Sequence, residues 1–312
     1  MTSSHDETKP SLSRRNRPSH TAAKIARGLV YVARDPKYAD LLPKGAADSV
    51  ERLCLEAGVL KPWMLRLFES EWYQRSIDYT VRWLGRGELW RLTLRKRFVD
   101  DEAKAALSEG ARQLLVVGTG FDTLGLRMAQ TFPDVTVVEV DTKPTVQRRA
   151  DALHRLGMDH DNHHMVGADL AASSLSELLG SLSCWQSDVK SVAVAEGVLM
   201  YLDESEVSSF LKEIKSTCGP GSRLIFSYVR ADKKGRPHMG RLSGVVRASL
   251  MLVGEPLRWG VRDGELEPFL EKSGFRLAGA PDRTDLGRRY LTSRGIDEKV
   301  GKIEQFAIAE WS

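Results

Sequence analysis

The residues able to do chemistry cluster at the ends of short apolar runs. Gly118 and Gly120 follow the run Leu114 to Val117, in the stretch Val-Gly-Thr-Gly-Phe-Asp. Glycines so placed permit a tight turn and let backbone approach a ligand closely. Carboxylates follow four such runs: Asp122 after the first, Asp141 after 135–140, Asp169 after 164–167 and Glu196 after 191–195. An apolar strand, a glycine turn and a helix together make a nucleotide-type binding corner. Carboxylates in that number repel an anion such as a pyrophosphate. The third glycine of a dinucleotide fingerprint is missing as well, its place taken by Thr123.

The pattern therefore fits a phosphate-free nucleoside carrying positive charge. S-adenosylmethionine offers ribose hydroxyls, an adenine amine, an ammonium and a sulfonium. Asp141 follows Gly120 by about 20 residues, the usual distance for an acid that accepts ribose hydroxyls. A carboxylate takes both hydroxyl donors at once. Glu139 shares a strand face with Asp141, because side chains alternate with period two.

These residues need a parallel sheet to hold them. The run 114–117 is uninterrupted and suits a strand buried on both faces. Strands are expected over 135–140, 164–167, 191–195 and 223–229, with helices after Asp122, at Pro144 and over 174–182. The helix over 203–216 is the best marked: Asp203 and Glu206 have capping-box spacing, and Val207, Phe210, Leu211 and Ile214 form one stripe. Such alternation implies right-handed crossovers. Two more strands, over 275–280 and 303–309, complete the sheet as an antiparallel hairpin. The expected fold is α/β, a doubly wound, Rossmann-like, mostly parallel sheet of seven strands.

Before the sheet, helical spacing runs through 21–34, 46–57, 62–75 and 76–107. We read 1–20 as a polar tail, 21–110 as a helical cap, and 111–312 as the binding core. Within that core, 231–260 breaks the alternation and is expected to be a lid.

Composition narrows the class. The chain has 312 residues, 28% charged and 42% hydrophobic, as globular proteins do. A net charge of +4 does not argue for nucleic acid. The three cysteines, Cys54, Cys184 and Cys218, form no Cys-x-x-Cys pair, so neither a zinc site nor a disulfide framework is expected, and no metal. No run approaches the about 18 apolar residues of a membrane span. The reading is a cytoplasmic protein that does not bind membranes, with no oligomeric state implied.

Four ordered motifs resemble a known family. Val-Val-Gly-Thr-Gly-Phe-Asp-Thr (116–123), Glu-Val-Asp (139–141), Gly-Ala-Asp-Leu (167–170) and Ala-Glu-Gly-Val-Leu-Met-Tyr-Leu (195–202) look like the leucine carboxyl methyltransferase family. Its bacterial branch includes small-molecule and polyketide O-methyltransferases. The resemblance spans about residues 91–230 and is weaker over 258–277. It implies that Gly118 and Gly120 line the methionine part of S-adenosylmethionine and that Asp141 takes the ribose. It implies that Asp169 and Leu170 meet the adenine and that Glu196 lies near the methionine end. The family's arginine for the cofactor carboxylate matches Arg95, with Arg97 as the alternative. Leu124 stands where many bacterial members carry arginine, which first recurs at Arg127.

The function read from this is methyl transfer to an oxygen of a small molecule, a carboxylate or a hydroxyl. A carboxylate, with a pKa near about 4, needs no base, whereas a hydroxyl does. His163, His164 and His238 are candidate bases, with Tyr228 and Tyr290 as hydrogen-bonding partners. Tyr201 is best placed for a catalytic role, its ring face able to steady a sulfonium. The alternatives are a nicotinamide-dependent oxidoreductase, a non-catalytic S-adenosylmethionine-binding regulator, and a methyltransferase acting on a protein carboxyl group.

Overall fold

The computed structural model describes residues 20–84, 87–170, 173–238, 250–251, 255–301 and 303–312. Nearly all of the expected tail, and much of the expected lid (239–249 and 252–254), lie outside the described residues.

Seven strands form one sheet in the order β3-β2-β1-β4-β5-β7-β6. They are β1 (Gln113–Val117), β2 (Thr136–Asp141), β3 (His163–Gly167), β4 (Ser191–Ala195), β5 (Arg223–Val229), β6 (Arg276–Gly279) and β7 (Glu304–Glu310). The first five are mutually parallel, and β7 runs antiparallel between β5 and β6. The chain winds outward from β1 through β2 to β3, then returns to place β4 on the other flank of β1. This reversal opens a crevice at the carboxyl ends of β1 and β4, where open α/β sheets bind ligands.

Strand period two sorts the core. Leu114 and Val116 point to one face and pack with the N-terminal helices, whereas Leu115 and Val117 point to the other. On the first face, α1 (His20–Arg34), α2 (Pro36–Ala39), α3 (Ala46–Glu56), α4 (Pro62–Glu69), α5 (Glu71–Leu84) and α6 (Glu88–Ser108) share a single core with β1, β2 and β4. The same face receives α7 (Leu124–Thr131) and α8 (Lys143–Arg155), the latter with Pro144 in its first turn. The opposite face is covered by α9 (Leu175–Gly180), α10 (Glu204–Thr217) and α11 (Leu266–Lys272). The α10 capping box forms as the spacing predicts: Asp203 accepts from the Glu206 amide at 2.9 Å, and Glu206 accepts from the Asp203 amide at 2.7 Å.

Two boundaries differ from the helical periodicity. The expected helices over 62–75 and 76–107 are three helices, broken at Ser70, which is extended, and before α6 at Gly87. Gly87 takes φ +92°, and a Cβ there would overlap the carbonyl of Lys299, so only glycine fits. β6 and β7 do pair antiparallel, but not as a hairpin. A helix, α12 (Arg283–Tyr290), intervenes, and its capping box of Asp282 and Asp285 was a signal present in the sequence.

The three cysteines are free thiols, with Cys54 and Cys218 buried. Among the described residues no helix is long and apolar enough to cross a membrane.

Phe98 joins the two ends of the chain. It is buried on α6, its ring centroid 5.5 Å from that of Phe306 on β7. Phe98→Ala should destabilise the protein by about 3–5 kcal/mol, read as a lower urea midpoint with an unchanged slope.

Candidate active site

A cavity of about 340 Å³ lies at the carboxyl ends of β1 and β4. Its floor is the glycine turn from Gly118 to Asp122, with Asp141 to one side and Glu196 to the other. Arg95 and Lys96 reach it from α6, and Tyr201 from the short turn Leu199–Tyr201. Its roof is α1, through Ala22, Ile25 and Leu29. Gly118 has φ +70°, and a Cβ there would overlap the Val198 side chain; Gly120 has φ +55° and faces Ala22. Gly118 is therefore required by conformation and by contact, and Gly120 is favoured by its conformation with Ala22 close above it.

Asp141 accepts from the Gly120 amide at 2.7 Å and from the Thr142 amide at 2.6 Å. It thus ties β2 to the turn while still lining the cavity. Its Oδ1 also accepts from the Thr142 hydroxyl at 3.3 Å, and Oδ2 keeps a second lone pair for a ligand hydroxyl.

The charges at the foot of the cavity form one chain, buried along its middle and partly exposed at its ends, Glu88 and Lys104. Arg95 bonds Glu196 through Nε and Glu304 through Nη1 at 2.6 Å. Lys96 bonds both Glu196 and Asp122. Arg91 joins Glu304 to Glu88. Arg127 lies 3.9 Å from Asp122 and 3.0 Å from Asp100, which Lys104 completes at 2.6 Å. Acids and bases alternate along the chain in equal number, so buried charge is neutralised locally. Burial works against the charge on Arg95, but Glu196 and Glu304 outweigh it and raise its pKa above the ordinary value. Burial likewise opposes the charge on Asp122; Lys96 and Arg127 outweigh it and hold the carboxyl well below its usual range. Asp122 also accepts from the Leu124 amide at 3.0 Å and from the Thr123 amide, capping α7 with its own carboxylate.

Of the residues expected at the site, Arg95, Gly118, Gly120, Asp122, Asp141, Glu196 and Tyr201 line this cavity. Leu170 lines an adjoining one, of about 230 Å³, which shares the walls Val117, Val198 and Leu202. Asp169 lines neither; its carbonyl accepts from the Ser173 amide at 2.9 Å. Arg97 turns away, pairing with Asp101 at 2.9 Å beside the ring of Tyr290. Glu139 does not reach the cavity. It is fully buried beneath the turn, where burial is outweighed by Arg149 and His163, and its pKa is held at about 2.

His163, His164, His238, Tyr228 and Tyr290 also lie off the cavity lining. His163 is buried 3.1 Å from Glu139, and Tyr290 donates to Asp101 at 3.0 Å. Burial, then Glu255 and Glu304, push the Tyr201 phenol up to about 12, so it is neutral at ordinary pH. Sequence reasoning missed Lys96, the roof from α1, and Glu255. Lys96 follows Arg95 directly, and only its ion pairs distinguish it from a surface lysine. From the expected lid, Glu255 lines the cavity.

A family model described as leucine carboxyl methyltransferase matches residues 33–215, more than half of the chain. The chain belongs to the leucine carboxyl methyltransferase family. A relative from Mycobacterium sp. (strain JLS) is 25% identical over 275 residues, covering 86% of each chain. A relative from Streptomyces avermitilis is 30% identical over 136 residues, 43% of this chain and 46% of its own, so the chain spans about half of that relative's length. Both bear, provisionally, the name S-adenosyl-L-methionine-dependent methyltransferase. A solved structure from Thermobifida fusca, provisionally described as a methyltransferase, shares the fold: TM-score 0.55, 17% identity, 89% of this chain and 98% of that one.

The family match runs from the end of α1 into α10, and so takes in most of the cavity lining. It stops well short of β7, which supplies Glu304. Burial raises the Glu304 pKa, but Arg95 and Arg91 outweigh it and set it at about 2, below the ordinary 4.5. A depressed folded-state pKa stabilises above the unfolded value and is lost as pH falls through the folded one. Stability should therefore drop between about pH 4.5 and about pH 2. Glu304→Gln should cost about 3–5 kcal/mol at neutral pH and flatten that acid slope, as measured by urea unfolding across the window.

Proposed function

We propose that the protein is an S-adenosylmethionine-dependent methyltransferase acting on an oxygen of a small molecule. One observation carries this reading: a single cavity joins Asp141, beside the glycine turn, to a cluster of both charge signs. Arg95 and Lys96 suit a ligand carboxylate, and Glu196 and Asp122 suit an ammonium, so the cluster matches a zwitterionic amino-acid end. Asp141 would hold the ribose hydroxyls. The adjoining cavity at Leu170 would receive the adenine. Family membership and the names of the relatives point to the same cofactor.

Bound there, the cofactor supplies a methyl group activated on a sulfonium. The chain's own part is to align the acceptor and exclude water, which α1 does as the roof. Tyr201, kept neutral, would donate a hydrogen bond and present its ring to positive charge. No histidine lines the cavity among the described residues, which suits an acceptor that needs no base, such as a carboxylate. The roof favours a metabolite over a peptide end. Free thiols accord with a cytoplasmic setting.

The nicotinamide alternative meets an obstacle. The start of α7, where a pyrophosphate would sit, is already occupied by the Asp122 carboxylate.

Calorimetry should give binding of S-adenosylmethionine and of its demethylated product, S-adenosylhomocysteine, and none of the nicotinamide dinucleotides. No binding of either sulfur ligand would sink the proposal. Asp141→Asn should weaken S-adenosylhomocysteine by about 10- to 100-fold, since hydrogen bonds to charged groups are worth about 1.5–3 kcal/mol. Isotopically labelled cofactor incubated with a metabolite extract should label a small molecule; label retained by the cofactor alone would favour the regulatory reading.

A further inference from the structure

Beneath the glycine turn lies a second buried charge cluster that none of the roles above uses. Arg149 on α8 and Glu139 on β2 are both fully buried and bonded to each other. Arg149 Nη1 donates to the carbonyl of Gly120 at 3.0 Å and to the carbonyl of Asp122. Glu139 Oε1 accepts from the Thr119 hydroxyl at 2.9 Å. The turn is thus held from below at residues 119, 120 and 122. Neither Arg149 nor Glu139 lines the cavity.

We propose that Arg149 and Glu139 are positioning residues that pre-form the cofactor-binding turn before any ligand arrives. The proposal rests on the reading of the cavity as the S-adenosylmethionine site. Three features of the chain serve the clamp. Gly125 opens the path, since a Cβ there would overlap the Glu139 carboxylate. The guanidinium fork reaches two carbonyls and a carboxylate together, which a single ammonium cannot do with the same geometry. His163 Nε2, on the neighbouring strand, lies 3.1 Å from Glu139 Oε2, the oxygen that Arg149 also bonds.

The clamp also fixes which way the peptide units face. The carbonyls of Gly120 and Asp122 are drawn toward Arg149, beneath the turn. The Gly118 amide is held by the Val140 carbonyl at 2.8 Å, and the Gly120 amide by Asp141 at 2.7 Å. A turn ordered in this way spares the ligand the entropy of ordering it, and the gain appears as affinity.

The test separates positioning from plain stability. Replacing a buried ion pair by apolar residues of similar volume is often neutral for folding. The double variant Glu139→Met with Arg149→Met should therefore unfold cooperatively near the wild-type urea midpoint. It should bind S-adenosylhomocysteine at least about tenfold more weakly by calorimetry. Arg149→Lys, which keeps the charge and loses the fork, should weaken binding by a similar factor. A folded variant of either kind that binds within about twofold of wild type would overturn the proposal.

Hydrogen exchange on the wild-type protein decides independently if neither variant folds. The amides of Gly118, Gly120 and Asp122 should be protected without ligand to nearly the degree of β1. Exchange at free-loop rates until S-adenosylhomocysteine is added would refute the clamp. A wild-type protein that binds no S-adenosylhomocysteine counts against the cofactor reading instead, and the exchange result still judges the clamp.

Discussion

Buried charge must be neutralised where it sits, and much of this structure follows from meeting that demand at the cavity. A carboxylate or guanidinium removed from water is costly unless an opposite charge and hydrogen bonds replace the solvent. Helix α6 brings Arg91, Arg95, Lys96 and Asp100 under the site, each paired with a residue of another element, while Lys104 pairs with Asp100 within the helix. Glu196 comes from the end of β4, Asp122 from the glycine turn, Arg127 from α7 and Glu304 from β7. These elements can shift only together, since displacing one leaves an unpaired charge in the interior. The long helix that a purely apolar account would treat as packing is in this way tied to the reactive edge of the sheet.

The same ties explain why the N-terminal helices are not an appendage. Their apolar residues share a core with β1, β2 and β4, and α1 closes the cavity above the glycine turn. The close approach of Ala22 to Gly120 favours a glycine below and a small residue above. At its other end, β7 completes the sheet and also delivers Glu304 to Arg95. A site at the middle of the sheet thus depends on residues from both ends of the chain.

Much of the framework was legible in the sequence because its signals are local. Uninterrupted apolar runs marked the buried parallel strands, and the glycine pair marked the turn. Pro144 and the Asp203–Glu206 box marked helix starts by short-range sterics and hydrogen bonding. The intervening helix α12 carried a comparable signal in Asp282 and Asp285, within a stretch whose apolar pattern is weak. The breaks at Ser70 and Gly87 were obscured because helical periodicity continues on either side of them.

The sequence by itself determined the fold class, the place of the glycine turn and the order of the acids along the sheet edge, since these depend on residues near one another in the chain. Only the tertiary structure decided what each acid faces. Asp141 and Glu139 stand two residues apart on one strand, yet one lines the cavity and the other lies sealed beneath it with Arg149. Arg95 and Arg97 stand two apart on one helix, yet one joins Glu196 and Glu304 while the other meets Asp101. Spacing fixes which face of an element a residue occupies. What lies against that face is set by partners as far as 209 residues away, as Glu304 is from Arg95, and local pattern carries no record of them.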